Sequence, residues 1–317
     1  MSPEYEASAI LLRRAALQHG LAGQAALEGE FVPRAKVFLA EARELQLAAH
    51  RADVRGGEVA RLRSDAIDIL IDALFLRAGS AAATLSLVAT GGYGRAELCP
   101  LSDIDLLVLV PRHSAATKAL VEAILYPLWD LGLKVGQSVR TVTESTNYAK
   151  DDLHLHVALL ETRHLCGSPE LFAQLEAKTA ALLSGQAWKP FARAIVESQR
   201  KRREKAGGSA YLQEPDLKNG VGALRDVQGC VWIARTARNG VGPAGLAASG
   251  FLPAVDLQKF EEAKQVLLRL RCELHFQVTR PTEQLSLERQ NTMSAALGFT
   301  GTLTERIGGM MRQYFDA

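Results

Sequence analysis

The sequence has almost no net charge. Its 37 Lys and Arg against 35 Asp and Glu leave +2 over 317 residues, which by itself indicates neither a nucleic-acid groove nor a polybasic membrane surface. Clustered cysteine is missing as well. Cys99, Cys166, Cys230 and Cys272 stand at least 42 residues apart with no CxxC pair, so neither a zinc knuckle nor a disulfide scaffold is suggested, and reduced thiols in a cytoplasm are expected. Long apolar runs are absent. The N-terminus carries Glu4 and Glu6, and the most apolar helical stretch, residues 67–76, is broken by Asp68 and Asp72, so no signal peptide or membrane span is expected. There is no GxxxxGK[ST], and Gly92-x-Gly94 lacks the third glycine and the later acid that a dinucleotide fold requires. No repeat of 20 to 50 residues stands out, and the only low-complexity tract is the short Ala-Gly-Ser segment at 242–250.

What remains is a chain with 48% hydrophobic and 23% charged residues, enough to bury one large core or two modest ones, and two domains are expected. From Val59, the residues Leu62, Ala66, Ile67, Leu70, Ile71, Leu74 and Phe75 recur at three- and four-residue steps, the stripe of an amphipathic helix. Short apolar runs at 85–89 and 104–110 predict buried strands, a helix fills 115–131, and the alternation of Leu133, Val135, Gln137 and Val139 predicts a third strand. Beyond it the period is helical, over 152–165, 169–183, 188–205, 223–238, 254–279 and 302–315, with Gly, Pro and Asn at the joints. The expected layout is an N-terminal helical segment at 1–79, an α/β core at 80–145 and a helical domain at 146–317. The last helix reaches Ala317 without a Gly or Pro stop signal, so a chain cut from something longer is expected.

The most informative stretch is GGYGRAELCPLSDID, residues 91–105. Glycines directly after a strand let backbone N–H groups approach a polyphosphate with no Cβ in the way, and the start of a short helix adds partial positive charge. Gly91, Gly92 and Gly94 are therefore candidates for holding a triphosphate. Arg95 has a fixed fork that suits phosphate oxygens, with an ion pair to Glu97 or a neighbouring acid as the alternative. Ser102 could donate to a phosphate or cap local backbone, and Tyr93 could contact a base or pack the turn. Asp103 and Asp105, two apart on a strand, leave one face with bases about 6.6 Å apart. Ionised, they would repel by roughly 2.5 kcal/mol at an effective dielectric near 20, so a cation between or beside them is expected, and Mg²⁺ suits oxygen ligands and phosphates. The implied chemistry is attack of a hydroxyl on the α-phosphate of a nucleotide, with pyrophosphate leaving.

The string GGYGRAELCPLSDIDLLVL resembles the nucleotidyltransferase signature of bacterial PII uridylyltransferases, the bifunctional sensors of nitrogen status. The resemblance continues in order through LYPLWDLGLKVGQSVRT at 125–141, DDLHLHVALLETRHLCGS at 151–168, EPDLKNGVGALRDVQ at 214–228 and, more loosely, GGMMRQYFD near the end, covering about residues 80–317. It implies a polymerase-β-type nucleotidyltransferase fold, α/β with a mixed sheet, followed by an all-α helical-bundle domain. It implies transfer of UMP from UTP to a tyrosine of a PII protein with Mg²⁺ as cofactor, Asp103 and Asp105 as catalytic metal ligands, and Gly91, Gly92 and Arg95 at the triphosphate. A related enzyme with another donor or acceptor, or a binding module without turnover, is the alternative. Departures are visible. Ala96 and Ala223 stand where the family usually shows glycine, and Gln137 where histidine is common. Polymerase-β-type enzymes generally carry a third carboxylate on a later strand, yet residues 133–141 contain no acid, and Glu161 is the candidate substitute. No His-Asp dipeptide of the uridylyl-removing activity is present.

Weaker signals have two readings each. Lys218 and Arg225, around Gly220 and Gly222, could bind nucleotide phosphates or orient the acceptor, or could serve ion pairs beside a helix cap. The basic run of Arg200, Lys201, Arg202, Arg203 and Lys205 has no interleaved aromatic, so a solvated helix face is expected and nucleic acid is not. His154 and His156, two apart, do not share a helical face, and with His164 they form no HExxH pattern.

Overall fold

The computed structural model describes residues 1–237 and 253–317; the Ala-Gly-Ser segment at 242–250 lies outside them. The chain forms two compact units, one of Met1–Ala49 with Ala60–Leu182, the other of His50–Val59 with Leu183–Ala317.

The first unit is built on a four-stranded mixed sheet. Its strands are β1 (Ser86–Ala89), β2 (Ile104–Leu109), β3 (Val135–Arg140) and β4 (Arg163–Gly167), in the order β3-β2-β1-β4. β1 runs antiparallel to both β2 and β4, while β2 and β3 are parallel, with Ile104 opposite Val135 and Asp105 opposite Gly136. Parallel neighbours need a crossover, and it is supplied by α5 (Ala115–Asp130). Ser114 and Thr117 form a capping box at the start of this helix.

Strand alternation sorts the side chains onto two faces. Leu87, Ala89, Ile104, Leu106 and Val108 join a large core with α1 (Pro3–Gln18), α2 (Phe31–Arg51), α3 (Gly56–Arg77) and α5. The predicted stripe on α3 is in that core, with Ala66, Ile67, Leu70, Ile71 and Leu74 all at most 3% exposed. The opposite sheet face, carrying Val88, Leu107 and Leu109, packs on α6 (Val142–Asp151), α7 (Leu153–Leu160) and α8 (Pro169–Leu182) through Val142, Ala149, Leu159 and Leu175.

The helix expected over 152–165 stops at Leu160, and β4 takes its last residues. The apolar positions at 153–160 satisfy the helical period, but 163–167 is too short to display an alternation of its own, and all five residues are half-buried. Pairing with β1 decides its state. Ser86–Ala89 binds Arg163–Gly167 across a register shift between Leu87 and Val88.

The second unit is helical, with α9 (Trp188–Lys205), α10 (Leu224–Ala237) and helices Ala254–Gln277, Leu287–Ala296 and Leu303–Asp316. Together the units are the α/β sheet with helices and the all-α part that the sequence leads one to expect.

Candidate active site

β1 ends at Ala89, and the chain turns at once into α4, the single helical turn Gly91–Gly94. The Thr90 N–H donates to the Asp105 carbonyl at 3.0 Å, which fixes this turn against the start of β2. As first-turn residues, Gly91 and Gly92 have N–H groups with no acceptor inside the helix. Asp103 and Asp105 are both exposed and flank the fully buried Ile104, so the two carboxylates leave the same side of the chain.

The Asp105 carboxylate is held in a glycine cradle. A Cβ built on Gly91 would stand 3.1 Å from Oδ2, and one built on Gly136, on the neighbouring strand, 2.7 Å from Oδ1. Gly91 also has φ +56°, where a side chain is disfavoured. Both glycines and Asp105 line a cleft of about 400 Å³ with Thr90, Ser138 and Arg140, a volume in the range of small-molecule sites. Asp103 is balanced by a cation of the protein itself, with Lys134 Nζ 2.9 Å from its Oδ1.

Arg95 and Glu161 are joined to each other. Arg95 Nε donates to Glu97 at 2.7 Å and Nη1 to Glu161 at 2.6 Å. Burial works against the guanidinium's charge, but the two carboxylates more than offset it and push its pKa above the ordinary value. Glu161 is 3% exposed. Glu161, the candidate third ligand, faces Arg95 and neutralises it, and among the described residues no group of three or more His, Cys, Asp or Glu side chains is placed to hold a metal. The ion-pair alternative for Arg95 is the one the structure contains, widened by a second acid 66 residues away.

Gly94 has a packing reason of its own, because a Cβ there would fall 1.7 Å from the Glu161 carbonyl oxygen. Tyr93 packs the turn. It is fully buried, its hydroxyl donates to Asp68 at 2.7 Å, and Arg163 lies over its ring at 5.2 Å while also pairing with Asp68. The Ser102 N–H donates to the Cys99 carbonyl at 2.9 Å. Ala96, at the place of a usual glycine, has φ +55°, the left-handed region that glycine enters without strain.

Lys218 and Arg225 belong to the second unit. Asp216 accepts from the N–H groups of Lys218 and Asn219 at 2.8 and 2.6 Å, and Arg225 donates to Gln228 at 2.8 Å with its guanidinium over Trp232. The basic run on α9 is laced with acids: Arg200 pairs with Glu197 and Glu204, Lys201 with Glu197, and Arg202 and Arg203 with Asp226. His156 is buried, and burial lowers its pKa, while the His164 ring lies 5.3 Å from that of Phe172. No helix among the described residues is long and apolar enough to cross a membrane.

Two families match the chain in tandem. The one described as "Nucleotidyltransferase domain" matches residues 76–159, which include every residue of the cleft, and "GlnD PII-uridylyltransferase" matches 190–317. Similar relatives are proteins named bifunctional uridylyltransferase/uridylyl-removing enzyme. That of Cereibacter sphaeroides is 37% identical over 73% of this chain and 25% of its own length. That of Bradyrhizobium sp. (strain ORS 278) is 38% identical over 74% and 26%, and that of Bordetella avium 36% identical over 84% and 30%. The chain thus spans between a quarter and a third of the length of these curated relatives. With a nucleotidyltransferase sheet, a glycine turn and paired aspartates followed by a helical region that matches the second family, the chain carries a nucleotidyltransferase domain and is similar to the PII uridylyltransferases.

Proposed function

We propose that the protein transfers UMP from UTP to a tyrosine hydroxyl of a PII signalling protein and releases pyrophosphate. The observation that carries the reading is the pair of exposed carboxylates on Asp103 and Asp105, the second cradled between Gly91 and Gly136 at the wall of the cleft. These are hard oxygen donors of the kind Mg²⁺ takes, and Gly91 and Gly136 place no Cβ against the Asp105 carboxylate. Asp103 and Asp105 would hold the metal, which when bound offsets charge on the phosphates and on the leaving pyrophosphate.

The protein's own share is positioning and electrostatics. The first-turn N–H groups of Gly91 and Gly92, with Ser102 nearby in sequence, are the donors suited to the triphosphate. Gly94, Arg95, Glu97 and Glu161 set the turn that aims them. The acceptor oxygen attacks the α-phosphorus, the bond to the β-phosphate oxygen breaks, and a tyrosine ester forms without a covalent enzyme intermediate.

Radiolabelled UTP and purified PII test this directly. Asp103→Asn and Asp105→Asn should each lower incorporation by about a thousandfold, several kcal/mol of charge stabilisation, while far-UV circular dichroism stays unchanged. Label that survives the double substitution would remove both aspartates from the mechanism. A panel of ATP, CTP, GTP and UTP, followed by pyrophosphate release, separates uridylylation from transfer of another nucleotide.

A second reading is a nucleotide- or PII-binding module without turnover, favoured by the lack of a third carboxylate beside Asp103 and Asp105 among the described residues. Tight UTP binding in calorimetry that is indifferent to Mg²⁺, with no labelled product, would select it.

A further inference from the structure

β3 is the outer strand of the sheet on the side of Asp105. The Ile104 N–H donates to the Lys134 carbonyl and the Val110 N–H to the Arg140 carbonyl. This phase turns the even-numbered residues of β3 toward β2 and points the N–H and C=O groups of Val135, Gln137 and Val139 outward. No described residue pairs with them. Two of the devices that usually blunt an edge, a bulge and a proline, are absent from the strand. Its register with β2 is unbroken over six residues and it contains no proline, whereas β4 at the opposite edge carries a register shift.

The two sides of this edge differ. On one, Gly136, Ser138 and Arg140 line the cleft that contains Asp105. On the other, Val139 and Gln137, the latter lining the cleft as well, form with α5 a groove of about 700 Å³. Trp129 and Tyr126 stand in that groove 43% and 49% exposed, their rings 5.5 Å apart. Side chains of any strand laid on β3 would therefore alternate between the Asp105 cleft and an aromatic groove.

We propose that the acceptor polypeptide docks as an extended segment added to the free edge of β3. The residue bearing the acceptor hydroxyl projects into the Asp105 cleft, and its two immediate neighbours project into the groove under Trp129 and Tyr126. Main-chain hydrogen bonds to Val135, Gln137 and Val139 supply affinity, and the groove supplies preference for large apolar or aromatic neighbours. This assignment rests on the transferase reading for the identity of the occupant. The edge, the register and the groove stand independently of it. A polypeptide is the occupant they fit, because only a backbone satisfies a row of alternating donors and acceptors while reaching both sides at once.

Amide hydrogen exchange on the full chain, with and without PII and with no nucleotide, reads the docking without catalysis. Protection of the Val135, Gln137 and Val139 amides on addition of PII is expected. Val139→Pro deletes one outward donor and leaves the ladder to β2 intact, and Trp129→Ala empties the groove. Each should raise the KM for PII about five- to tenfold, the worth of one hydrogen bond or of part of an aromatic contact, with the KM for UTP unchanged. Exchange at the three amides that ignores PII, or an unaltered KM for PII in both variants, overturns the docking mode whether or not label is transferred. Protection that grows with protein concentration before PII is added assigns the edge to a second copy and likewise overturns it. Protection by PII with no label transferred leaves the docking standing and sinks the transferase reading alone.

Discussion

Arg95 is conspicuous in the sequence, and the structure shows it in the ion-pair arrangement that stood beside the triphosphate reading. Its guanidinium bridges Glu97 and Glu161, whose side chains are 10% and 2% exposed. Removing it would leave two nearly buried carboxylates without their cation, and breaking such a pair costs roughly 3–5 kcal/mol. We expect Arg95→Ala to lower the urea midpoint by a corresponding amount, with Glu161→Gln in the same background recovering part of the loss. A rise in the KM for UTP at undiminished stability would instead return Arg95 to the triphosphate. The exposure of Asp103 and Asp105 around a buried Ile104 was legible from the alternation at the start of the apolar run. The neighbour of Arg95 at position 97 was legible too. Glu161 as its second partner was not, because no local spacing connects residues 66 positions apart. Nor was the Lys134 ammonium beside Asp103. The alanine at 96 could be noted as a departure, but its meaning came only with its left-handed backbone.

Among the described helices, α4 is the shortest. It is one turn long, and its last glycine touches the peptide between α7 and β4 so closely that an added Cβ would lie 1.7 Å from the Glu161 oxygen. Gly94→Ala should therefore push the turn away from that peptide, costing on the order of 2 kcal/mol as overpacking does and lowering Tm. Thermal melts that match the unaltered protein would show that the turn has room to shift. Several elements were readable in advance: α3 by its stripe, α5 by its length, and β1 and β2 as short apolar runs. β4 was not, since five half-buried residues at an edge have no alternation to read, and pairing across the sheet overrides their apparent continuation of a helix. That β3 ends the sheet could not be read either, because strand order is not a property of any one segment.

At the scale of the whole molecule, the second unit carries an acid-sensitive buried group. Glu273 accepts from His50 at 2.8 Å, and Arg51 and Gln277 also donate to it; the His50 and Glu273 side chains have no exposure. Burial works against the carboxylate's charge, but these donors outweigh it and hold the pKa down at about 2 against an ordinary 4.5. A depressed carboxylate pKa means the unfolded state binds the proton first, so its contribution is full above pH 4.5 and is lost as pH falls toward about 2. His275, lowered to about 4 chiefly by burial and then by Arg271, acts in the same direction from 6.5 downward. Urea titrations should show stability falling from near pH 6.5 to pH 2, with Glu273→Gln flattening the lower part of the curve. An unfolding midpoint constant over that interval would contradict the assignment. The cradle around Asp105 has a different kind of vulnerability. Gly91, Asp105 and Gly136 come from three separate stretches, brought together when α5 returns the chain to lay β3 alongside β2. No fragment holding only one or two of those stretches possesses the pocket, so it arises in a single event, when that loop through α5 closes, and disappears when the loop opens even if every helix stays wound.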